Sequence, residues 1–188
     1  MKRINAKDNN DPEAYDAKFV GTLGAHDMKR FELLAKNFKG GVYADIGCFD
    51  SPMPALLAER YPACTIYAFD HAPKMIAFLA ERFPKVKYKV ANCYSIPLES
   101  ESVDYVVAGE IIEHLEKPAD AIKEWLRILK PGGTLAVSTP FEEQGTEVGG
   151  IYHLWQWTLA DMADLGFTET DVIMEANYET ILAWQTKK

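Results

Sequence analysis

Residues 42–54 read VYADIGCFDSPMP, from Val42 to Pro54, and their reading decides the fold. Val42, Ala44 and Ile46 alternate with Tyr43 and Asp45 at the two-residue period of a strand. Gly47 follows at once, where backbone must bend sharply or let another group come close. Ser51-Pro52 then supplies a hydroxyl N-cap followed by proline at the first helical position. Strand, glycine turn and helix start together aim backbone N–H groups and the positive end of a helix at one place. That place is predicted to hold a ligand.

Working outward, the same periodicities predict an alternating chain. A helical pattern runs from Tyr15 to Phe38, with Phe31, Leu34, Ala35 and Phe38 on one stripe, and Gly40-Gly41 ends it. After the first strand comes a helix around Ala55–Glu59, closed by Pro62. A second strand, Thr65–Phe69, ends at Asp70, and a helix from Pro73 to Arg82 follows. A third strand, Val86–Val90, ends at Asn92-Cys93. A fourth, Val103–Ala108, ends at Gly109-Glu110. A helix over Ala119–Lys130 is stopped by Pro131-Gly132-Gly133, and Thr134–Ser138 makes the fifth strand. The connection from Pro140 to Trp157 is long for a compact domain, and such loops are often functional. Leu159–Leu165 reads as a short helix ended by Gly166, and Val172–Glu175 with Thr180–Trp184 as a closing hairpin. Alternation of this kind predicts an α/β fold: a three-layer Rossmann-like sandwich whose seven-stranded sheet is mostly parallel, with an antiparallel strand from the C-terminal hairpin. The expected division is an N-terminal arm and lid helix region over residues 1–30 and a single domain over 31–188. Ligands on such sheets sit beyond the carboxyl ends of the strands.

The chain of 188 residues carries a net charge of −8, which weighs against binding a nucleic-acid backbone. No run approaches the roughly 20 apolar residues of a membrane helix. The polar start MKRINAKDNNDPE lacks the apolar core of a signal peptide. Cys48, Cys64 and Cys93 are odd in number and widely spaced, so they fit neither a disulfide framework nor a zinc site. A cytoplasmic protein with no membrane and no nucleic-acid partner is expected.

Each strand end carries a polar side chain: Asp45, Asp70, Asn92 and Glu110. Asp70 follows Asp45 by about 25 residues, the offset at which a carboxylate meets a ribose diol in mononucleotide-binding sheets. A carboxylate suits that task because it accepts both hydroxyl protons. The side-chain oxygen of Asn92 is able to accept from an adenine amino group.

Four segments then carry a resemblance: ADIGCFDS, YAFDHAPKMI, SVDYVVAGEIIEHLEKP and LRILKPGGTLAVSTP. In this order and spacing, over roughly residues 30–185, they resemble the motifs of class I S-adenosylmethionine-dependent methyltransferases, of the small-molecule kind called methyltransferase type 11. The resemblance implies S-adenosylmethionine as cofactor and a role for each strand end. Asp45 would help hold the methionine amino group, with the backbone of Gly47 and Cys48 passing close to the methionine part. Asp70 would bind the ribose hydroxyls and His71 would lie against the adenine. Asn92 would read the adenine amino group while the Cys93 backbone reads a ring nitrogen. Glu110 would sit near the methionine and the reacting methyl. The chain departs from the family at Phe49 and Ser51, where glycine is usual, and at Asn92, where an acid is commoner. Phe49 is bulky where backbone and cofactor approach, so its ring is expected either to swing away from the site or to restrict it.

The expected activity is methyl transfer to an O, N or C nucleophile of a small-molecule substrate. His153 and His114 are the candidate bases, since histidine titrates near neutral pH. Tyr152 and Trp155, in the long connection, are candidates for lining the substrate pocket. Tyr15, Phe19 and His26 mark a second candidate lid. Histidines and acids show no convincing ligand spacing, so no metal is expected. Two rivals share the fold. A non-catalytic S-adenosylmethionine-binding module or partner subunit is kept alive by Phe49. A nicotinamide-linked oxidoreductase would need a G-x-G-x-x-G turn that this chain lacks.

Overall fold

A computed structural model describes residues 2–3, 28–141, 153–174 and 179–188. A short strand β1 (Lys2–Arg3) and a helix α1 (Met28–Leu34) come first. Then follow β2 (Val42–Ile46), α2 (Met53–Arg60), β3 (Thr65–Asp70), α3 (Pro73–Arg82) and β4 (Lys87–Val90). The second half holds β5 (Val103–Gly109), a 3₁₀ turn over Ile112–His114, α4 (Pro118–Ile128) and β6 (Leu129–Pro140). The chain closes with β7 (Trp155–Gln156), α5 (Leu159–Asp164), β8 (Glu169–Met174) and β9 (Glu179–Thr186).

Seven strands form one sheet in the order β4-β3-β2-β5-β6-β9-β8. Strands β4, β3, β2, β5 and β6 pair in parallel, and β9 runs antiparallel to both β6 and β8. From β2 the chain steps outward through β3 to β4, then returns across β2 to lay down β5. That reversal opens a crevice at the carboxyl ends of β2 and β5, where α/β sheets take their ligands. The expected mostly parallel sheet with an antiparallel closing strand is therefore what forms.

Strand alternation explains the three layers. Tyr43, Ala68, Tyr105 and Val107 join one buried cluster with Phe31, Met75 and Leu79. Ala44, Ile46, Phe69 and Val106 join another with Ile122, Trp125 and Met162. Adjacent residues on one strand thus feed opposite faces, which is why β2 is apolar on both. Each fully buried Leu or Ile here contributes about 1.5–3 kcal/mol.

Three local expectations shift. Helix α4 ends at Ile128, and the strand after it starts at Leu129 instead of Thr134. Pairing jumps from Val103–Leu129 to Tyr105–Thr134, so residues 130–133 bulge outward, with Gly132 at φ +79°. The bulge is held by Lys130 Nζ on the Asp104 carboxylate at 2.8 Å and by Gly132 N donating to Lys187 O at 2.8 Å. Pro-Gly-Gly there is bulge chemistry inside a strand as well as a helix stop. Second, Pro52 takes the cap position of α2, and the Ser51 hydroxyl accepts from Met53 N at 3.3 Å. Third, α1 ends at Leu34, short of the expected Phe38, and Arg30 and Phe31 on it are both buried. That helix belongs to the packed unit. Tyr15, Phe19 and His26 lie outside the described residues. Among the described residues no helix is long and apolar enough to cross a membrane.

Candidate functional site

A cavity of about 540 Å³ opens at the carboxyl ends of the central strands. Asp45, Gly47, Cys48, Asp70 and His71 line it from the ends of β2 and β3, and Asn92, Cys93 and Glu110 from those of β4 and β5. All eight residues expected to meet a cofactor therefore share one wall, and its volume suits a cofactor-sized ligand.

The turn after β2 is built by backbone. Gly47 N and Cys48 N both donate to Phe69 O, at 2.8 and 3.0 Å. Gly47 has φ +72°, and a Cβ there would stand 2.5 Å from Ile111 Cδ1, so both conformation and space demand glycine. Phe49 has φ +35°, the left-handed conformation glycine adopts without cost. Its side chain packs against the cluster holding Phe31 and Met53, and the residue also lines the cavity. Asp70 fixes this turn: Oδ2 accepts from Phe49 N at 2.9 Å and Oδ1 from Ala72 N at 3.0 Å. It thus braces the approach to α3 by holding the N–H of Ala72, the N-cap residue, and faces the cavity at once. His71 Nδ1 lies 3.1 Å from Asp70 Oδ1.

Asp45 has the Tyr43 side chain beside it, which favours the ionised carboxylate but only partly offsets its burial. Its Oδ2 is buried and has no hydrogen-bond partner among the described residues. Burial pushes its pKa up from 3.8 to about 7, and the nearby Asp70 carboxylate adds to the rise. A buried carboxylate left this way is costly unless a cationic or donor group comes to it. Burial likewise pushes the Cys48 thiol well above its ordinary range, leaving a small buried hydrophobe. Asn92 Oδ1 accepts from Tyr94 N at 2.9 Å, closing a turn while its second lone pair stays available. Cys93 O accepts from Trp125 Nε1 at 3.0 Å, tying that strand end to α4.

Glu110 stands at φ +53° after β5. Its Oε1 accepts from Ser138 Oγ at 2.9 Å and lies 3.2 Å from Arg30 Nη1. Arg30 also lines the cavity, a role sequence reasoning missed. The available signal was an arginine set directly beside Phe31 on the buried stripe of α1.

Beyond Glu110 the fold joins two segments distant in sequence. Leu154 N donates to Glu113 O at 2.7 Å, and Trp155 Nε1 donates to Leu115 O at 2.6 Å. The His114 and His153 rings meet edge to face with centroids 5.0 Å apart. Burial, with His114 beside it, drops the His153 pKa to about 4. His114 lines the cavity; His153 and Trp155 are not among its lining residues. Trp155, a candidate for lining the substrate pocket, ties the two segments together through its indole N–H. Tyr152 lies outside the described residues. The structure also groups Glu113, His114 and His153, with ligand-capable atoms all within 4.8 Å of one another. Linear spacing hid that cluster because its third member arrives from beyond β6.

A family model described as a methyltransferase domain matches residues 44–137, half of the chain. The chain belongs to the class I S-adenosylmethionine-dependent methyltransferases. A Mycolicibacterium smegmatis protein, named a probable S-adenosylmethionine-dependent methyltransferase, is 33% identical over 110 residues, covering 58% of this chain and 42% of that protein. A trans-aconitate 2-methyltransferase of Azoarcus is 30% identical over 96 residues, covering 51% of this chain and 38% of its own. This chain thus spans less than half the length of these curated relatives. Among solved structures, a chain from the complex of the Haloferax volcanii Trm112 methyltransferase activator with a methyltransferase superposes with TM-score 0.75 at 16% identity, covering 97% of this chain and 99% of that one. An Aquifex aeolicus SAM-dependent methyltransferase superposes with TM-score 0.66 at 18% identity, covering 93% and 98%. These structural likenesses carry the methyltransferase fold.

Proposed function

We propose that this methyltransferase chain moves a methyl group from S-adenosylmethionine to an O, N or C nucleophile of a small-molecule substrate. The observation that carries the reading is the buried Asp45 oxygen without a partner in the cavity wall. The cofactor's ammonium and sulfonium are cationic, and a buried carboxylate at this place suits them. Asp70 offers acceptor capacity to ribose hydroxyls from a carboxylate already oriented by Phe49 N and Ala72 N. Asn92 keeps a lone pair for the adenine amino group, and His71 stands beside Asp70 where the base would lie.

The chemistry supplied by the bound cofactor is an electrophilic methyl: the acceptor's lone pair forms the new bond as the C–S pair returns to sulfur. The chain's part is alignment and exclusion of water. His114, on the cavity wall, is the group placed to take an acceptor proton. His153 is held neutral by burial and positions His114 through their ring contact. The relatives named for trans-aconitate, together with the net charge of −8, favour a small metabolite over a nucleic acid, in a cytoplasmic setting.

Titration calorimetry with S-adenosylmethionine, S-adenosylhomocysteine and NAD tests the reading. Binding of the first two and not of NAD is expected; NAD binding alone overturns it. The non-catalytic reading is separated by crystals grown with S-adenosylhomocysteine. Open space beside the sulfur favours catalysis, whereas a Phe49 ring closing that space favours a binding module.

A further inference from the structure

Three side chains with metal-ligating chemistry converge beside the cavity, and the convergence is built by the fold. The backbone bond from Leu154 to Glu113 and the indole bond from Trp155 to Leu115 clamp the residues flanking His153 onto those flanking His114. Glu113 is 1% exposed, and its Oε2 accepts from Thr139 Oγ1 at 3.1 Å, which sets the direction of the carboxylate. An outer hydrogen bond of this kind orients metal ligands. His114 Nε2 lies 3.8 Å from Glu113 Oε1, and all three ligand atoms lie within 4.8 Å of one another. A cation about 2.0–2.2 Å from each N or O atom needs ligand edges of roughly 3.0–3.6 Å. Small side-chain rotations close that gap.

We propose that Glu113, His114 and His153 bind a divalent first-row transition cation at the edge of the cavity, with a coordination position open to the methyl acceptor. Two imidazoles and one carboxylate suit borderline cations such as Zn²⁺ or Mn²⁺, whereas Mg²⁺ and Ca²⁺ prefer oxygen-only shells. Three protein ligands leave a position vacant, as in catalytic sites and unlike closed structural ones. His114 lies on the cavity wall, so the vacant position has access to the space where a substrate would sit. The acceptor class this favours is a hydroxyl compound that coordinates through oxygen; with the cation bound, His114 serves as a ligand and the cation, in place of that imidazole, eases loss of the acceptor's proton. That clause rests on the methyl-transfer reading; the cation site itself does not.

The test uses the full chain, stripped with EDTA and titrated with Zn²⁺, Mn²⁺ and Mg²⁺ by calorimetry, with Mn²⁺ followed also by electron paramagnetic resonance. One equivalent of Zn²⁺ and of Mn²⁺ is expected, with Mg²⁺ at least about 100-fold weaker. His114→Ala and His153→Ala should each weaken Zn²⁺ more than tenfold and abolish the rise in Tm that Zn²⁺ gives the parent chain. Glu113→Gln tests the carboxylate; because that side chain is buried, the histidine variants decide if it unfolds. Absence of stoichiometric binding, or equal affinity in the parent and both histidine variants, overturns the site. S-adenosylhomocysteine titrated in parallel separates the two claims. Zn²⁺ binding without it sinks the methyl-transfer reading and leaves the site standing; the reverse result sinks the site.

Discussion

The two halves of the cleft are assembled by different means. On the side proposed for the cofactor, the turn after β2 hangs on backbone: Gly47 N and Cys48 N on Phe69 O, and Phe49 N on Asp70 Oδ2, a partner 21 residues away. Those partners sit on adjacent parallel strands whose register already puts Ile46 beside Phe69. On the side proposed for the acceptor, His153 reaches His114 through side-chain and loop contacts, such as Trp155 to Leu115, a separation of 40 residues. The first half is fixed as soon as the sheet forms. The second exists only when a distant segment docks.

The sharpest way to break this contrast is Asp70→Ala. It removes the acceptor for Phe49 N and Ala72 N, and with it the carboxylate proposed to meet the ribose. Hydrogen bonds to a charged group are worth roughly 1.5–3 kcal/mol each, so affinity for S-adenosylhomocysteine should fall on the order of 100-fold. The Tm should fall as well, read by thermal melting. Unchanged affinity in calorimetry removes Asp70 from the site and ends the claim that this half is a prebuilt cradle.

Asp45 gives the next largest effect, and its sign follows from burial. Its pKa is about 7 in the folded chain against an ordinary 3.8. Between those values the folded chain holds a proton that the unfolded chain has lost. The contribution of Asp45 to stability is therefore greatest below about pH 4 and is lost as pH rises through about 7. Asp45→Asn should flatten that decline and raise the stability of the free chain at pH 8 by roughly 2–4 kcal/mol, with little change at pH 4, measured by urea unfolding. Cofactor binding should run the other way. Parent affinity should rise from pH 6 to pH 8 as the carboxylate ionises, while the variant stays weak and flat across that range. A stability trade of this sort marks a group placed for a ligand.

What the sequence disclosed follows the same division. Tyr43 and Ile46 face opposite layers because strand period is local, so β2 and its turn were legible from thirteen consecutive residues. The carboxyl ends of four strands were legible because topology, once inferred from alternation, dictates where they gather. Phe49 was read as a departure; at φ +35° the chain keeps the backbone shape of glycine, and the half-buried residue both packs against the core and borders the cavity. The Pro131-Gly132-Gly133 segment was misplaced because a bulge and a helix stop use the same residues. Arg30 and the Glu113–His114–His153 cluster escaped for a different reason: nothing in local spacing records which loop folds back over a sheet edge. For the same reason the bond from the Trp155 indole N–H to Leu115 O was not legible in the sequence.

That staple supplies the smallest and most discriminating effect. Trp155→Phe keeps an apolar ring but removes the donor to Leu115 O, a loss of about 1 kcal/mol. If the two halves are as independent as their hydrogen bonds suggest, S-adenosylhomocysteine affinity should change less than about twofold. Zn²⁺ affinity should fall several-fold, because His153 is held against His114 through its neighbours' contacts. Parallel titrations of one preparation read both numbers. Equal losses in the two would mean that docking of the distant segment also shapes the turn at Gly47, where Ile111 packs against the glycine and sits at the entrance to the 3₁₀ turn carrying His114.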